Sequence, residues 1–141
     1  RCSPTMLNRE VLQDSLSLVI DDEHKLMLDF YERLFDDHPE VRPLFGADLR
    51  PQAAMLQQAI AAVLDHLDDA EWLGRTLGAL GHRHADIGVT PEMYEWVAGA
   101  LITTMAERGG TEWTDEMTAA WTDALGAVAG LMLDAYPAVA D

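Results

Sequence analysis

Helical spacing of apolar residues recurs from one end of the chain to the other. In "WLGRTLGALGHRHADIG", residues 72–88, the residues Leu73, Leu77, Leu80 and His84 follow one another at helical intervals and therefore share one face of a helix. No stretch of the chain shows the sustained alternation of apolar and polar residues that is typical of a β-strand. We therefore predict an all-α protein.

Capping and breaking residues divide this pattern into about six helices. Asn8 is typical of a helix N-cap, Asp21 and Asp22 are expected to end the first helix and cap the second, and Thr90-Pro91 is a strong helix start. The predicted helices cover residues 8–20, 22–37, about 50–67, 71–85, 91–109 and from about 114 or 115 to Pro137, with a short turn over 39–45. Short connections between them favour one compact bundle.

The apolar stripes of these helices predict which side chains point inward. The predicted inward residues are Leu28, Tyr31 and Phe35 in the second helix, Tyr94, Val97, Leu101 and Met105 in the fifth, and Met117, Trp121, Leu125, Val128 and Met132 in the last. A buried Tyr31 would need a hydrogen-bond partner for its hydroxyl.

Length and composition indicate one globular domain. The chain has 141 residues, of which 49% are hydrophobic, enough for a substantial core. We expect residues 1–5 to be a tag remnant or a flexible N-terminus and residues 6–141 to form the domain. The net charge of -16 argues against nucleic acid or an anionic membrane as a partner.

The cysteine content and the hydropathy indicate the compartment. Cys2 is the single cysteine, so neither an internal disulfide framework nor a cysteine metal cluster can form. The sequence has neither an apolar run of transmembrane length nor a signal-peptide pattern. We therefore expect a cytoplasmic protein.

Polar residues at inward positions are the candidates for function. His84 ends an apolar stripe just before the helix breaks, and such a histidine is either a satisfied core residue or a ligand. His82 points off that stripe and is expected at the surface. Gln52, one turn into the third helix, fits either a solvent-facing side chain or a functional one. The spacing alone leaves these alternatives open.

Four segments in order resemble the globin domain of the bacterial flavohaemoglobin and single-domain haemoglobin family. They are "FYERLFDDHPEVRPLF", "QAAMLQQAI", "HRHADIGVTPEMY" and "AAWTDALGAVAGLM". The resemblance covers the chain from about Met6 to Tyr136, and the segments follow one another at nearly the family's spacing. No single segment is specific, but the ordered set is. The resemblance implies a globin fold, with about six to seven helices around a haem pocket, and haem b (iron protoporphyrin IX) as cofactor.

The resemblance also implies residues that hold the haem. His84 matches the proximal iron ligand, which makes it the metal-binding residue and leaves His82 at the surface. Phe45 matches the phenylalanine that packs against the haem, and Leu56 matches the apolar residue on the ligand side of the ring. We also expect Arg83 to contact the cofactor.

Three further positions match residues that act on the gas ligand. Tyr31 and Gln52 match the distal tyrosine and glutamine that hydrogen-bond dioxygen in this family, and Tyr94 matches the tyrosine behind the proximal histidine. Tyr31, Gln52 and Tyr94 are therefore the predicted catalytic residues of any reaction at the iron. Hydrogen bonds from the distal pair imply slow release of dioxygen and high affinity.

One departure from the family concerns the end of the last helix. Nitric oxide dioxygenases of the family carry a glutamate there that hydrogen-bonds the proximal histidine. Alignment on Trp121 places Tyr136 at that position, with Asp134 nearby on a different side of the helix. A tyrosine would donate less electron density than a carboxylate does.

Three functions follow from the resemblance. The first is reversible binding of dioxygen, nitric oxide or carbon monoxide for transport or scavenging, by a monomer or a homodimer. The second is nitric oxide dioxygenation with electrons from a separate reductase, since we expect no flavin or nicotinamide domain in these 141 residues. The third is a sensor or accessory domain of a longer protein.

Overall fold

The computed structural model describes residues 8–137, and within this range it contains helices and connecting turns but no strand. The α-helices are α1 (Arg9–Val19), α2 (Lys25–Asp37), α3 (Arg50–Asp65), α4 (Ala70–Asp86), α5 (Pro91–Gly109) and α6 (Asp115–Leu133). Short 3-10 helices cover Pro39–Leu44 and Gly110–Glu112. The all-α prediction is confirmed. Residues 1–5, predicted to be a tag remnant or flexible, lie outside the described range.

The predicted helix starts are confirmed except at α2. The Val11 amide donates to the Asn8 side chain over 3.2 Å, and α5 begins at Pro91 after Thr90. The second helix begins at Lys25 rather than at residue 22, because the Asp21 carboxylate accepts from the amides of Glu23 (2.9 Å) and Lys25 (3.0 Å). Asp21 thus organises a turn ahead of the helix instead of capping it directly.

A buried polar contact joins α1 to α6 inside the core. The Trp121 indole N–H donates to the Ser15 hydroxyl over 2.7 Å, and that hydroxyl donates to the Val11 carbonyl over 2.6 Å. Both side chains are buried, and each polar atom has a partner. The surrounding core is apolar and includes Leu12 and Phe30. A satisfied pair of this kind fixes the register of two helices without leaving an unpaired group.

The side chains predicted to point inward do so, but not all of them are fully buried. Tyr31, Leu101, Met105, Trp121 and Met132 are buried as predicted. The others are half-buried, namely Leu28, Phe35, Tyr94, Val97, Met117, Leu125 and Val128. Four of these, Tyr94, Val97, Leu125 and Val128, line a cavity, so their inward position does not bring full burial.

Helices α4 and α6 cross in backbone contact at Gly81. A Cβ atom added to Gly81 would lie 2.1 Å from the carbonyl oxygen of Met132, far inside van der Waals contact. Only glycine fits this crossing. The contact lies one turn before His84, so it also sets how α4 presents that residue to the interior.

None of the helices described here combines the length and the apolar composition needed to cross a membrane.

We predict that Gly81→Ala lowers the free energy of unfolding by about 1–3 kcal/mol, because the added methyl group forces two packed backbones apart. Gly74→Ala is the matched control on the same helix. Gly74 is exposed with nothing within 4 Å of its added Cβ, and alanine is the better helix former by about 0.5–1 kcal/mol. Urea unfolding followed by circular dichroism measures both changes, and equal stability of the two variants would contradict the tight crossing.

Candidate functional site

A mainly apolar cavity of about 210 Å³ lies between α3, α4, α5 and α6. Its walls include Leu56, Leu80, Val97, Leu125 and Val128. Among the lining residues of the described chain, His84 is the single histidine, and the indole N–H of Trp121 is already bonded to Ser15. The cavity is therefore an apolar space with one nitrogen base in its wall.

The hydrogen bonding of His84 determines which ring nitrogen is available. Its Nδ1 lies 2.9 Å from the Leu80 carbonyl oxygen, which can only accept, so Nδ1–H is the donor. Burial lowers the pKa of His84, which outweighs the opposing effect of the Leu80 carbonyl, and the positive charge of Arg83 lowers it further. The ring is therefore neutral at pH 7, and Nε2 carries a free lone pair.

The lone pair of His84 in an apolar wall suits a metal site in which a cofactor supplies the other ligands. Residues 8–137 contain no group of three or more histidine, cysteine or carboxylate side chains that could hold a metal ion by themselves. A single imidazole suffices where an organic macrocycle supplies the other ligands, as in haem proteins. Apolar walls also suit the faces of such a macrocycle, so these residues fit a haem.

The chain turns sharply after His84. Gly88 has a φ of 92°, which favours glycine, and its amide donates to the Ala85 carbonyl over 3.1 Å. The Val89 amide donates to the His84 carbonyl over 3.0 Å. These two bonds form a Schellman motif, and they satisfy the free carbonyls at the end of α4.

Tyr94 lies beside His84, with the two ring centroids 6.2 Å apart. Its hydroxyl oxygen is 3.0 Å from that of Tyr136, and the Tyr136 hydroxyl donates to the Val89 carbonyl over 2.8 Å. Since Tyr136 has one hydroxyl hydrogen, Tyr94 must be the donor between the two tyrosines. Burial, followed by the contact with Tyr136, raises the pKa of Tyr94 above its usual range, so the hydroxyl stays protonated.

Tyr31, Phe45 and Gln52 form a second group, on α2, α3 and the loop between them. The rings of Tyr31 and Phe45 meet edge to face, with centroids 5.3 Å apart. Burial raises the pKa of Tyr31 to about 12, while the nearby Gln52 side chain acts in the opposite direction. The phenol therefore remains an O–H group at neutral pH.

The Phe45 loop is held by Arg42. The guanidinium group donates to the carbonyl oxygens of Phe45 (3.3 Å) and Gly46 (3.0 Å) and lies 5.0 Å from the centroid of the Phe35 ring. These contacts fix the loop although it lies at the surface. The loop residue Phe45 thereby keeps its position against Tyr31.

The structure brings the predicted site residues together only in part. Leu56, His84 and Tyr94 line the cavity, whereas Tyr31, Phe45 and Gln52 form a separate contacting group. Their contacts with a cofactor remain predictions. Arg83 is exposed and does not line the cavity. Its contact with the cofactor remains a prediction. His82 lies at the surface as predicted, with its Nε2 atom 3.9 Å from Oδ2 of Asp86.

Three contacts at the site were not predicted, although the alignment on Trp121 had already placed Tyr136 near the proximal histidine. The carbonyl oxygen of Leu80 orients His84, Gly81 sets the α4–α6 crossing, and Tyr136 is the partner of Tyr94. The first two precede His84 by four and three residues, so helical spacing already placed them near it. The contact of Tyr136 with Tyr94 had no comparable local signal.

Comparison with known proteins identifies the fold and the family. The Globin family model matches residues 28–132, about three quarters of the chain. A bacterial globin from Campylobacter jejuni superposes with a TM-score of 0.76 at 22% identity, covering 90% of this chain and 92% of the other. A Pseudomonas aeruginosa protein, described as structurally highly homologous to a human hemoglobin, gives 0.80 at 22% identity, with coverages of 92% and 98%.

Sequence relatives include two proteins named flavohemoprotein. That of Rhizobium meliloti is 28% identical over 131 residues, which are 91% of this chain and 32% of the relative. That of Bordetella pertussis is 34% identical over 108 residues, 74% of this chain and 27% of the relative. The chain thus spans about a third of the length of these relatives. With the family model covering most of its helices, the chain belongs to the globin family.

Proposed function

We propose that this chain is a haem protein that reversibly binds dioxygen and other diatomic gases, with His84 as the iron ligand. The observation that carries the proposal is the neutral His84 ring, whose Nδ1–H is bonded to Leu80 and whose other nitrogen remains available beside an apolar cavity. Membership of the globin family supports haem-based gas binding in general. Haem b supplies an iron with an open position for a gas ligand.

The chain's own residues would bind and shield the cofactor. The apolar side chains of Leu80, Val97 and Val128 present a surface that binds an apolar ring by excluding water from it. Leu56 extends the same wall from α3. Exclusion of water from this space favours reversible ligand binding over oxidation of the metal.

Tyr31 and Gln52 are proposed to act on the ligand. Tyr31 remains protonated far above neutral pH and can donate a hydrogen bond to a ligand that carries partial negative charge. Gln52 lies near the Tyr31 side chain and would offer its amide as a second donor, and Phe45 packs against the phenol ring from the side. A net hydrogen bond of this kind contributes about 0.5–1.5 kcal/mol.

The names of the relatives favour a second candidate function. Both relatives described above are named flavohemoprotein, and this chain spans only about a third of their length. Because the sequence resembles this family, the second proposal is the reaction of nitric oxide with dioxygen to form nitrate, with the one electron that this reaction requires supplied by a separate reductase. Sustained consumption of nitric oxide only after a reductase is added would favour this enzyme over a carrier.

His84, and not the neighbouring His82, is the proposed iron ligand. We predict that His84→Ala loses tight haem retention, because it removes the single imidazole in the cavity wall. His82→Ala is the control, since that side chain is exposed, and it should retain haem with an almost unchanged absorption spectrum. Haem content after gel filtration measures both variants. The opposite pattern would refute the assignment of the ligand.

If Tyr31 donates a hydrogen bond to bound dioxygen, removal of its hydroxyl should change the rate at which dioxygen dissociates. Tyr31→Phe removes the hydroxyl but keeps the ring, so dioxygen should dissociate about tenfold faster, which corresponds to a loss of ~1.4 kcal/mol. Carbon monoxide carries less charge on its outer atom and should respond weakly. Flash photolysis and stopped-flow mixing give both rates. Equal acceleration for the two gases would mean that Tyr31 acts through its bulk rather than its hydroxyl.

A further inference from the structure

Met93 joins the start of α5 to the wall of the cavity. The Thr90 amide donates to its Sδ atom over 3.5 Å, while the Met93 amide donates to the Thr90 carbonyl over 3.0 Å. The sulfur thereby takes the place that a glutamate or glutamine side chain has in a capping box. The same side chain lines the cavity, so one residue belongs both to a helix cap and to the apolar wall.

Met93 is the more accessible of the two methionines that line the cavity. The other, Met132, is 5% exposed, whereas Met93 is half-buried and makes its hydrogen bond with Thr90 on the exposed side of the helix. A small polar solute such as hydrogen peroxide can therefore reach the sulfur of Met93. Met55, on α3, is 57% exposed and is equally open to such a solute, but it does not line the cavity.

Oxidation of a thioether by hydrogen peroxide requires no further reactant. A lone pair of the sulfur attacks one peroxide oxygen, so that a sulfur–oxygen bond forms while the oxygen–oxygen bond breaks. The sulfur loses the two electrons that the peroxide gains. The hydrogen on the attacked oxygen passes to the departing hydroxide, which leaves as water. The product is methionine sulfoxide, a polar group in place of an apolar one.

The start of α5 offers a partner for the sulfoxide oxygen. A thioether sulfur is a weak acceptor, whereas the oxygen of a sulfoxide carries partial negative charge, and the Thr90 amide already donates to this side chain. The N-terminus of a helix also favours a negatively charged group. The sulfoxide can therefore form at Met93 without leaving an unpaired buried oxygen.

We propose that Met93 is a site of oxidation by peroxide and that its sulfoxide weakens the binding of the cofactor. The new oxygen turns toward the Thr90 amide, which draws the side chain away from the cavity and removes part of the apolar wall. The effect on the cofactor rests on the proposed function, whereas the oxidation of Met93 does not.

The first test locates the oxygen that hydrogen peroxide adds. The ferrous protein with carbon monoxide is treated with hydrogen peroxide, and peptide mass spectrometry follows the two methionines of the cavity wall. We expect Met93 to be oxidised at least about tenfold faster than Met132, because burial protects Met132. Equally slow oxidation of the two would overturn the proposal. If the purified chain takes up no haem, the proposed function fails, and the same comparison on that chain still decides whether Met93 is the site.

The second test separates this site from general oxidative damage. Met93→Leu removes the sulfur but keeps an apolar side chain of nearly the same volume, and Met55→Leu is the matched control at an exposed position outside the cavity wall. After peroxide treatment, the parent protein and Met55→Leu should release haem to haem-free myoglobin about tenfold faster, because a polar group has replaced part of the wall. Met93→Leu should release haem at its untreated rate.

Amide exchange at Thr90 tests the partner of the sulfoxide oxygen. In the parent protein, oxidation of Met93 should slow hydrogen exchange at the Thr90 amide, because the oxygen is a stronger acceptor than the sulfur. Unchanged exchange in protein oxidised at Met93 would overturn this contact. Faster haem release from treated Met93→Leu, equal to that of the treated parent, would overturn the effect on the cofactor.

Discussion

The crossing of α4 and α6 at Gly81 is the constraint on which the site depends. Two backbones meet there without a side chain between them, so α4 cannot shift along α6 without a clash. One turn later, the same helix presents His84 to the cavity and then ends in the turn around Gly88. The position of the imidazole therefore follows from a packing contact that contains no functional group.

The chemistry of His84 follows from its burial and from its hydrogen bond to the helix backbone. The Leu80 carbonyl lies inside α4, which continues to Asp86, and it accepts the hydrogen bond of the ring Nδ1–H. This bond and the burial that lowers the pKa of His84 together produce a neutral base with one available nitrogen. Around it the walls are almost entirely apolar. A site of this kind supplies one ligand to a metal, and the other ligands must come from a cofactor.

The sequence predicts the local features of this arrangement better than the distant ones. Asn8, Pro91 and the stripe ending at His84 act within one or two turns, and the structure confirms the helices that they define. Asp21 shows where prediction from local sequence fails, because its carboxylate could either cap a helix directly or organise a turn before it, and the structure shows the turn. The contact of Tyr136 with Tyr94 joins residues far apart in the chain, and helical periodicity carries no information about such pairs.

Under the proposed function, His84 would bind the iron of a haem that also binds a diatomic gas. Absorption spectra of the haem-reconstituted protein in the ferric state, the ferrous state and the ferrous state with carbon monoxide test it directly. We expect uptake of one haem per chain, a ferrous spectrum of five-coordinate iron with one histidine, and a large spectral shift with carbon monoxide. Failure to take up haem, or a ferrous spectrum with two protein ligands that carbon monoxide does not change, would contradict it.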